Sequence, residues 1–140
     1  MLDKDFLRKK LDSLASYIDK LEKLVFLNDN LLKSDDIKLA AIERYFQQTV
    51  DTMVDANTHI IKEGNFGTVD DLQSTFKLLG EFGVLDQKFA TKIAPIVGVR
   101  NMLVHRYEKL DADRFLGNLR NNFPDLKAYL LQIDGYLDKV

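Results

Sequence analysis

The sequence predicts an all-α fold, an antiparallel bundle of four long helices with one or two short ones. Three observations carry that expectation. Apolar residues recur at spacings of three and four through most of the chain. No stretch alternates apolar and polar residues as a half-buried strand would. Helix breakers are few, with proline confined to Pro95 and Pro124.

The first helix follows from Leu7, Leu11, Leu14, Ile18, Leu21 and Val25, an apolar seam with Lys, Asp and Glu between its members. The pattern lapses over Asn28 to Lys33. Ser34 is the expected N-cap of a second helix, with Asp35 and Asp36 in its first turn to suit the helix dipole. That helix is expected to reach about Ile61 and to bury Ile42, Phe46, Val50, Met53, Val54 and Ile60. The stretch Glu63-Gly64-Asn65-Phe66-Gly67 reads as a loop. Thr68, followed by Asp70 and Asp71, opens a shorter third helix that ends near Gly80 or Gly83.

A fourth helix starts near Asp86, with Phe89, Ile93, Ile96, Val97 and Leu103 as its core stripe. Pro95 lies inside it and is expected to kink or divide it. It ends around His105. Asp111 caps a fifth segment carrying Phe115, Leu116 and Leu119, which Asn121-Asn122-Phe123-Pro124 is expected to interrupt. A last amphipathic segment holds Leu126, Tyr129, Leu130, Ile133 and Tyr136. Tyr17, Tyr45, Tyr129 and Tyr136 read as core or interface aromatics. The 140 residues fit a single domain with a substantial core.

Composition narrows the chemistry. Cysteine is absent, which removes disulfides, thiol nucleophiles and thiolate metal sites. The charged N-terminus runs straight into an amphipathic pattern with no visible signal peptide or membrane span, so the expected compartment is the cytoplasm and no membrane contact is expected. A net charge of −2 argues against bulk nucleic-acid binding, so any such function must rest on a local basic site.

One window concentrates reactive groups: Arg100-Asn101-Met102-Leu103-Val104-His105-Arg106-Tyr107. His105 titrates near neutral pH and suits general acid–base work. Arg100 offers a fork for phosphate oxygens. RNA carries its own nucleophile, the ribose 2′-hydroxyl, so a metal-free cleavage needs only such a base or acid and a cation for charge developing on phosphorus. One such histidine per chain is one proton-transfer group, whereas a symmetric dimer joining two motifs supplies two. Residues five apart on a helix diverge by about 140°, so Arg100 and His105 converge only where the last turn frays. The bland alternative is that His105 caps a helix C-terminus, Arg100 pairs with an acid and Tyr107 packs on the bundle.

On the polar arc of the second helix, Arg44, Asp51, Asp55 and His59 recur at helical spacing. Arg44 reads as part of a solvated face, while Asp51 and Asp55 are candidates to support the site. Asp55 and His59 lie four apart but lack a third ligand, so neither a metal nor any other cofactor is expected. Asn101 is expected to hold the helix end or the cleft by hydrogen bonding.

The string R-N-M-L-V-H-R-Y resembles the signature of the HepT-like toxins of the HEPN superfamily, R-N-x-x-V/A-H-x-Y at the end of a long helix. The likeness covers most of the chain. Ala41-Ile42-Glu43-Arg44-Tyr45-Phe46-Gln47-Gln48 and Asp55-Ala56-Asn57-Thr58-His59-Ile60 resemble the family's second-helix pattern, and Thr75-Phe76-Lys77-Leu78-Leu79 through Gly83-Val84-Leu85 its F-x-x-L and G-x-L. The resemblance implies a homodimeric, metal-independent endoribonuclease acting as a toxin, with Arg100 and His105 catalytic in a composite cleft. It implies an RNA substrate and a cognate MNT-type nucleotidyltransferase antitoxin that transfers AMP to Tyr107. The alternative at this level is a catalytically silent HEPN dimer that binds a nucleotidyltransferase or a nucleotide.

Overall fold

A computed structural model describes residues 1–105 and 111–140, and of His105 the backbone alone. The described residues form helices and no strands: α1 (Lys4–Val25), α2 (Asp29–Lys33), α3 (Asp36–Gly64), α4 (Leu72–Glu81), α5 (Gln87–Ile93), α6 (Ile96–His105) and α7 (Ala112–Lys139). The bundle is the expected one, with the α5–α6 pair in place of a fourth long helix. The helix α3 is its axis, packing on α1, α2, α4 and α6, while α7 lies along α1.

The seam of α1 is buried as its spacing predicts, Leu7, Leu11, Leu14, Ile18, Leu21 and Val25 all facing inward. Cross-links fix its direction. Lys10 reaches Asp55 at 3.0 Å and the N-terminal ammonium reaches Glu63 at 2.5 Å, so α1 and α3 run antiparallel. Arg8 pairs with Asp134 and Asp138, and Lys127 with Glu22, so α1 and α7 are antiparallel too. It follows that α3 and α7 run parallel.

Capping corrects several expected boundaries. The stretch read as a break, Asn28 to Lys33, winds into α2, with the Asn28 side chain accepting from Asn30 N–H at 2.8 Å. Ser34 closes α2 rather than opening α3, because its N–H is taken by the Asn30 carbonyl. Asp35 caps α3 instead, its Oδ1 accepting from the Ile37 and Lys38 amides at 3.1 Å each. Lys38 holds the Asp35 carboxyl below its ordinary value by hydrogen bonding, which keeps the cap charged. The helix continues past Ile61 to Gly64 and ends on Asn65 in the left-handed region, with Phe66 N–H closing onto the Ile61 carbonyl. At α4 the cap is Asp71, not Thr68, because Asp71 and Ser74 bond reciprocally in a capping box.

The two prolines act differently. Pro95 divides the expected fourth helix, the chain turning over Ala94 and Pro95 between α5 and α6. Pro124 does not interrupt α7, which runs unbroken from Ala112 to Lys139. The cost of an interior proline, a lost backbone bond and a ring clash together worth about 3 kcal/mol or more, is outweighed by packing. Phe115, Leu119, Phe123, Leu126, Tyr129, Ile133 and Leu137 keep one buried stripe through that point while Pro124 faces outward.

A buried polar chain crosses the core. The Tyr129 hydroxyl of α7 donates to Asn57 Oδ1 of α3 at 2.6 Å and lies 3.1 Å from the Met53 carbonyl. Asn57 Nδ2 donates to Thr75 Oγ1 of α4 at 3.1 Å, and Thr75 donates to the Leu72 carbonyl. Burial pushes the Tyr129 phenol far above its ordinary value. Tyr129→Phe is therefore expected to lower stability by about 1–3 kcal/mol in urea unfolding at neutral pH, since it strips Asn57 of its donor. The sign of the pH effect is also set. The unfolded phenol ionises near pH 10 while the buried one stays protonated, so this contribution is complete below about pH 10 and is lost as pH rises above it. The wild-type minus variant difference should shrink in alkaline titrations; a constant difference would contradict the assignment.

Candidate functional site

The site lies where α6 crosses α3. After the Pro95 turn, α6 buries Val97 and Leu103 and leaves Arg100 half-buried at the seam. Arg100 Nε donates to Asp51 Oδ1 of α3 at 2.8 Å, and Nη1 donates to Asn101 Oδ1 at 3.2 Å. Two anchors thus hold the guanidinium plane. Neither hydrogen of Nη2 has an acceptor among the described residues. With 24% of the Arg100 side chain and 47% of Asp51 exposed, the pair sits at the mouth of a seam, not in the core.

Arg100, Asn101 and Asp51 are therefore brought together. Asp55 is not with them: its carboxylate meets Lys10 of α1. His59 also faces α1, accepting from the Asp3 amide at 3.1 Å and packing on Phe6 at 4.8 Å between ring centroids. The reason is the helical repeat. A step of four residues advances about 40° around the axis, so Asp55 and His59 rotate progressively away from Asp51 and toward α1. Asp55 as a supporting residue of the Arg100 site is thus displaced by its own geometry. Among the described residues no three His, Asp or Glu side chains converge as a metal site would require. The His105 side chain and all of Tyr107 lie outside the described residues.

The expected pairing of Arg100 with an acid, on the bland reading, is realised by Asp51. It does not exclude function, because a half-exposed pair with one guanidinium edge still available is also how an arginine is pre-oriented for phosphate. Sequence patterning passed over Glu43, a buried acid on α3. The signal available was its seven-residue spacing to Val50 and Asn57, both buried.

A cavity of about 280 Å³ adjoins the seam, enclosed by Phe46, Ile96, Val99, Phe115, Leu119 and other residues of α5 and α7. Pro95, in the turn between α5 and α6, is part of its wall. No helix among the described residues is long and apolar enough to cross a membrane.

The model of the family described as HepT-like, Ribonuclease HepT-like, matches residues 14–133. The chain belongs to the HepT-like ribonuclease family. It is 30% identical over 129 residues to the tRNA nuclease HepT of Aphanizomenon flos-aquae, covering 91% of this chain and 87% of that protein. It is 20% identical over 126 residues to the mRNA nuclease HepT of Shewanella oneidensis, covering 90% and 94%. Its fold matches that of a tri-AMPylated HEPN toxin of Shewanella oneidensis solved in complex with an MNT antitoxin, with a TM-score of 0.85, 20% identity, and coverage of 94% of this chain and 98% of that one. Within this HepT-like chain the ion pair at the α3–α6 seam has a testable character. Asp51→Ala is expected to change stability by no more than about 1 kcal/mol, as for other solvent-exposed pairs. A loss of more than about 2 kcal/mol in thermal unfolding would make the pair a structural strut rather than an orienting contact.

Proposed function

We propose that this HepT-like chain is the toxin of a toxin–antitoxin pair, a metal-independent endoribonuclease that works as a homodimer with Arg100 and His105 of both protomers in one cleft. The observation that carries the reading is the tethered Arg100, held by Asp51 and Asn101 with Nη2 unpartnered among the described residues, five residues before His105. The names of its relatives as tRNA and mRNA nucleases support the reaction class. Met102 and Val104, 62% and 44% exposed on the same helix, leave apolar surface that a second protomer would cover.

The chemistry balances without a metal. One imidazole takes the proton of the ribose 2′-hydroxyl, whose oxygen attacks the adjacent phosphorus. The P–O5′ bond breaks, and the 5′-oxygen receives its proton from the imidazolium of the second protomer. The products are a 2′,3′-cyclic phosphate and a 5′-hydroxyl. The two Arg100 side chains offset the charge gathering on the non-bridging oxygens.

Control follows the same electrostatics. The Shewanella oneidensis toxin solved with its MNT antitoxin is tri-AMPylated, and we assign the equivalent acceptor here to Tyr107. Its phenol oxygen would attack the α-phosphorus of a nucleoside triphosphate held by a nucleotidyltransferase antitoxin, releasing pyrophosphate. Each phosphodiester added there brings negative charge and bulk beside the catalytic arginine and repels an RNA phosphate.

RNA cleavage by purified protein is expected to persist in EDTA, to leave cyclic phosphate ends and to vanish in His105→Ala while light scattering still reports a dimer. Tyr107→Phe should prevent the mass increments of AMP that wild type gains with the antitoxin and ATP. Full activity in His105→Ala, or strict dependence on a divalent ion, would overturn the mechanism. Absence of cleavage by protein of unmodified mass would favour the silent binding dimer.

A further inference from the structure

The tethered Arg100 has a weakness as an RNA-capture device. Its charge is offset by Asp51, so the pair contributes little long-range attraction, and the chain as a whole carries a net charge of −2. A polyanion needs an uncompensated cation on the same face. Arg8 and Arg120 do not supply it: Arg8 is bound to Asp134 and Asp138, and Arg120 to Asp29 and to the carbonyls of Val25 and Leu27.

Arg44 differs. Like Arg114 at the start of α7, it is exposed and takes part in no ion pair among the described residues. Its neighbours at three and four residues along α3 are Ala40, Ala41, Gln47 and Gln48, none acidic. It lies seven residues before Asp51, about 10.5 Å away along the helix axis and about 20° round it, on the exposed line between Asp51 and Asp55.

The course of α6 carries its end toward the level of Arg44 on α3. Lys92 of α5 bonds Asp125 of α7 at 3.1 Å, while α6 ends at His105 and α7 begins at Ala112, so the α5–α6 arm runs antiparallel to α7. Because α7 is parallel to α3, α6 runs antiparallel to α3. The Phe46 and Phe115 rings, 5.5 Å apart, set the start of α7 at the level of Phe46. Starting from Arg100 at the level of Asp51, the backbone of α6 therefore climbs toward Phe46 and Arg44. His105 lies five residues on, about 7.5 Å along. Along the α3 axis the backbone end of α6 thus falls between the level of Asp51 and that of Arg44.

We infer that Arg44 is a second phosphate-binding residue, engaging an RNA phosphate that neighbours the scissile one and holding the strand along the α3–α6 seam. The inference rests on the ribonuclease reading above. Arg44 captures and registers the backbone; it performs no proton transfer.

The test uses full-length protein and a single-stranded RNA oligonucleotide across a potassium chloride series. In Arg44→Gln, KM is expected to rise about tenfold with kcat within about twofold of wild type. The slope of log(kcat/KM) against log[salt] should become shallower by about 0.7, the loss of one single-strand phosphate contact. Arg44→Lys should keep the wild-type slope and recover most of KM. An unchanged KM and slope in a fully active Arg44→Gln protein would overturn the inference and leave the ribonuclease standing. Were wild type not to cleave, fluorescence anisotropy of the same oligonucleotide with the His105→Ala protein, with and without Arg44→Gln, separates the two. Weaker, less salt-sensitive binding in the double variant supports the phosphate contact, and equal binding overturns it.

Discussion

The hydrogen-bonded chain from Tyr129 through Asn57 and Thr75 to the Leu72 carbonyl is the constraint on which the arrangement of helices depends. Apolar packing alone tolerates sliding of one helix past another, because a methyl group meets much the same surroundings one turn on. A buried donor and acceptor do not. If α7 slid along α3, the Tyr129 hydroxyl and the Asn57 carboxamide would be left unsatisfied inside the core. The chain thereby fixes the levels of α4 and α7 on α3. The α5–α6 arm is hung between those two, tied to α7 by Lys92 and Asp125 and packed closely on α4 at Gly80, where a Cβ would come within 2.7 Å of Ala90 Cβ. The meeting of Arg100 with Asp51 is a consequence of that registration.

Electrostatics then divides labour along α3. Asp51 orients Arg100 but cancels much of its field. Asp55 and Glu63 serve α1, through Lys10 and the N-terminal ammonium. Glu63 is held below its ordinary value by that ammonium, so the contact keeps a charged acceptor at neutral pH. Arg44, exposed and in no ion pair among the described residues, is left as an unpaired cation on α3. An acidic protein can in this way present a basic edge at one seam without a basic overall composition.

Much of this was legible in the residues. The seam of α1 and the buried arc of α3 followed from spacing, and the division at Pro95 from the missing amide. The errors cluster where two local signals compete. Ser34 and Asp35 are both good caps, and the choice went to Asp35 because the Ser34 amide was already closing α2. Thr68 and Asp71 present the same ambiguity, resolved by Ser74. At Pro124 a local breaker met a buried stripe that continued on both sides, and burial prevailed.

The sequence by itself determined the helical class and the family, and it singled out Arg100, Asn101, His105 and Tyr107 as candidates. It did so because apolar period and functional-group identity are properties of the chain in one dimension. The tertiary structure decided which member of the α3 stripe stands against Arg100. Along that helix each step of four carries a side chain about 40° further round, while a step of seven returns it almost to the same line. Asp51 therefore meets α6, Asp55 and His59 turn to α1, and Arg44 lies on the exposed line between them, about 20° from both Asp51 and Asp55. Only the placement of α1 and α6 around α3 gives that rotation a chemical meaning.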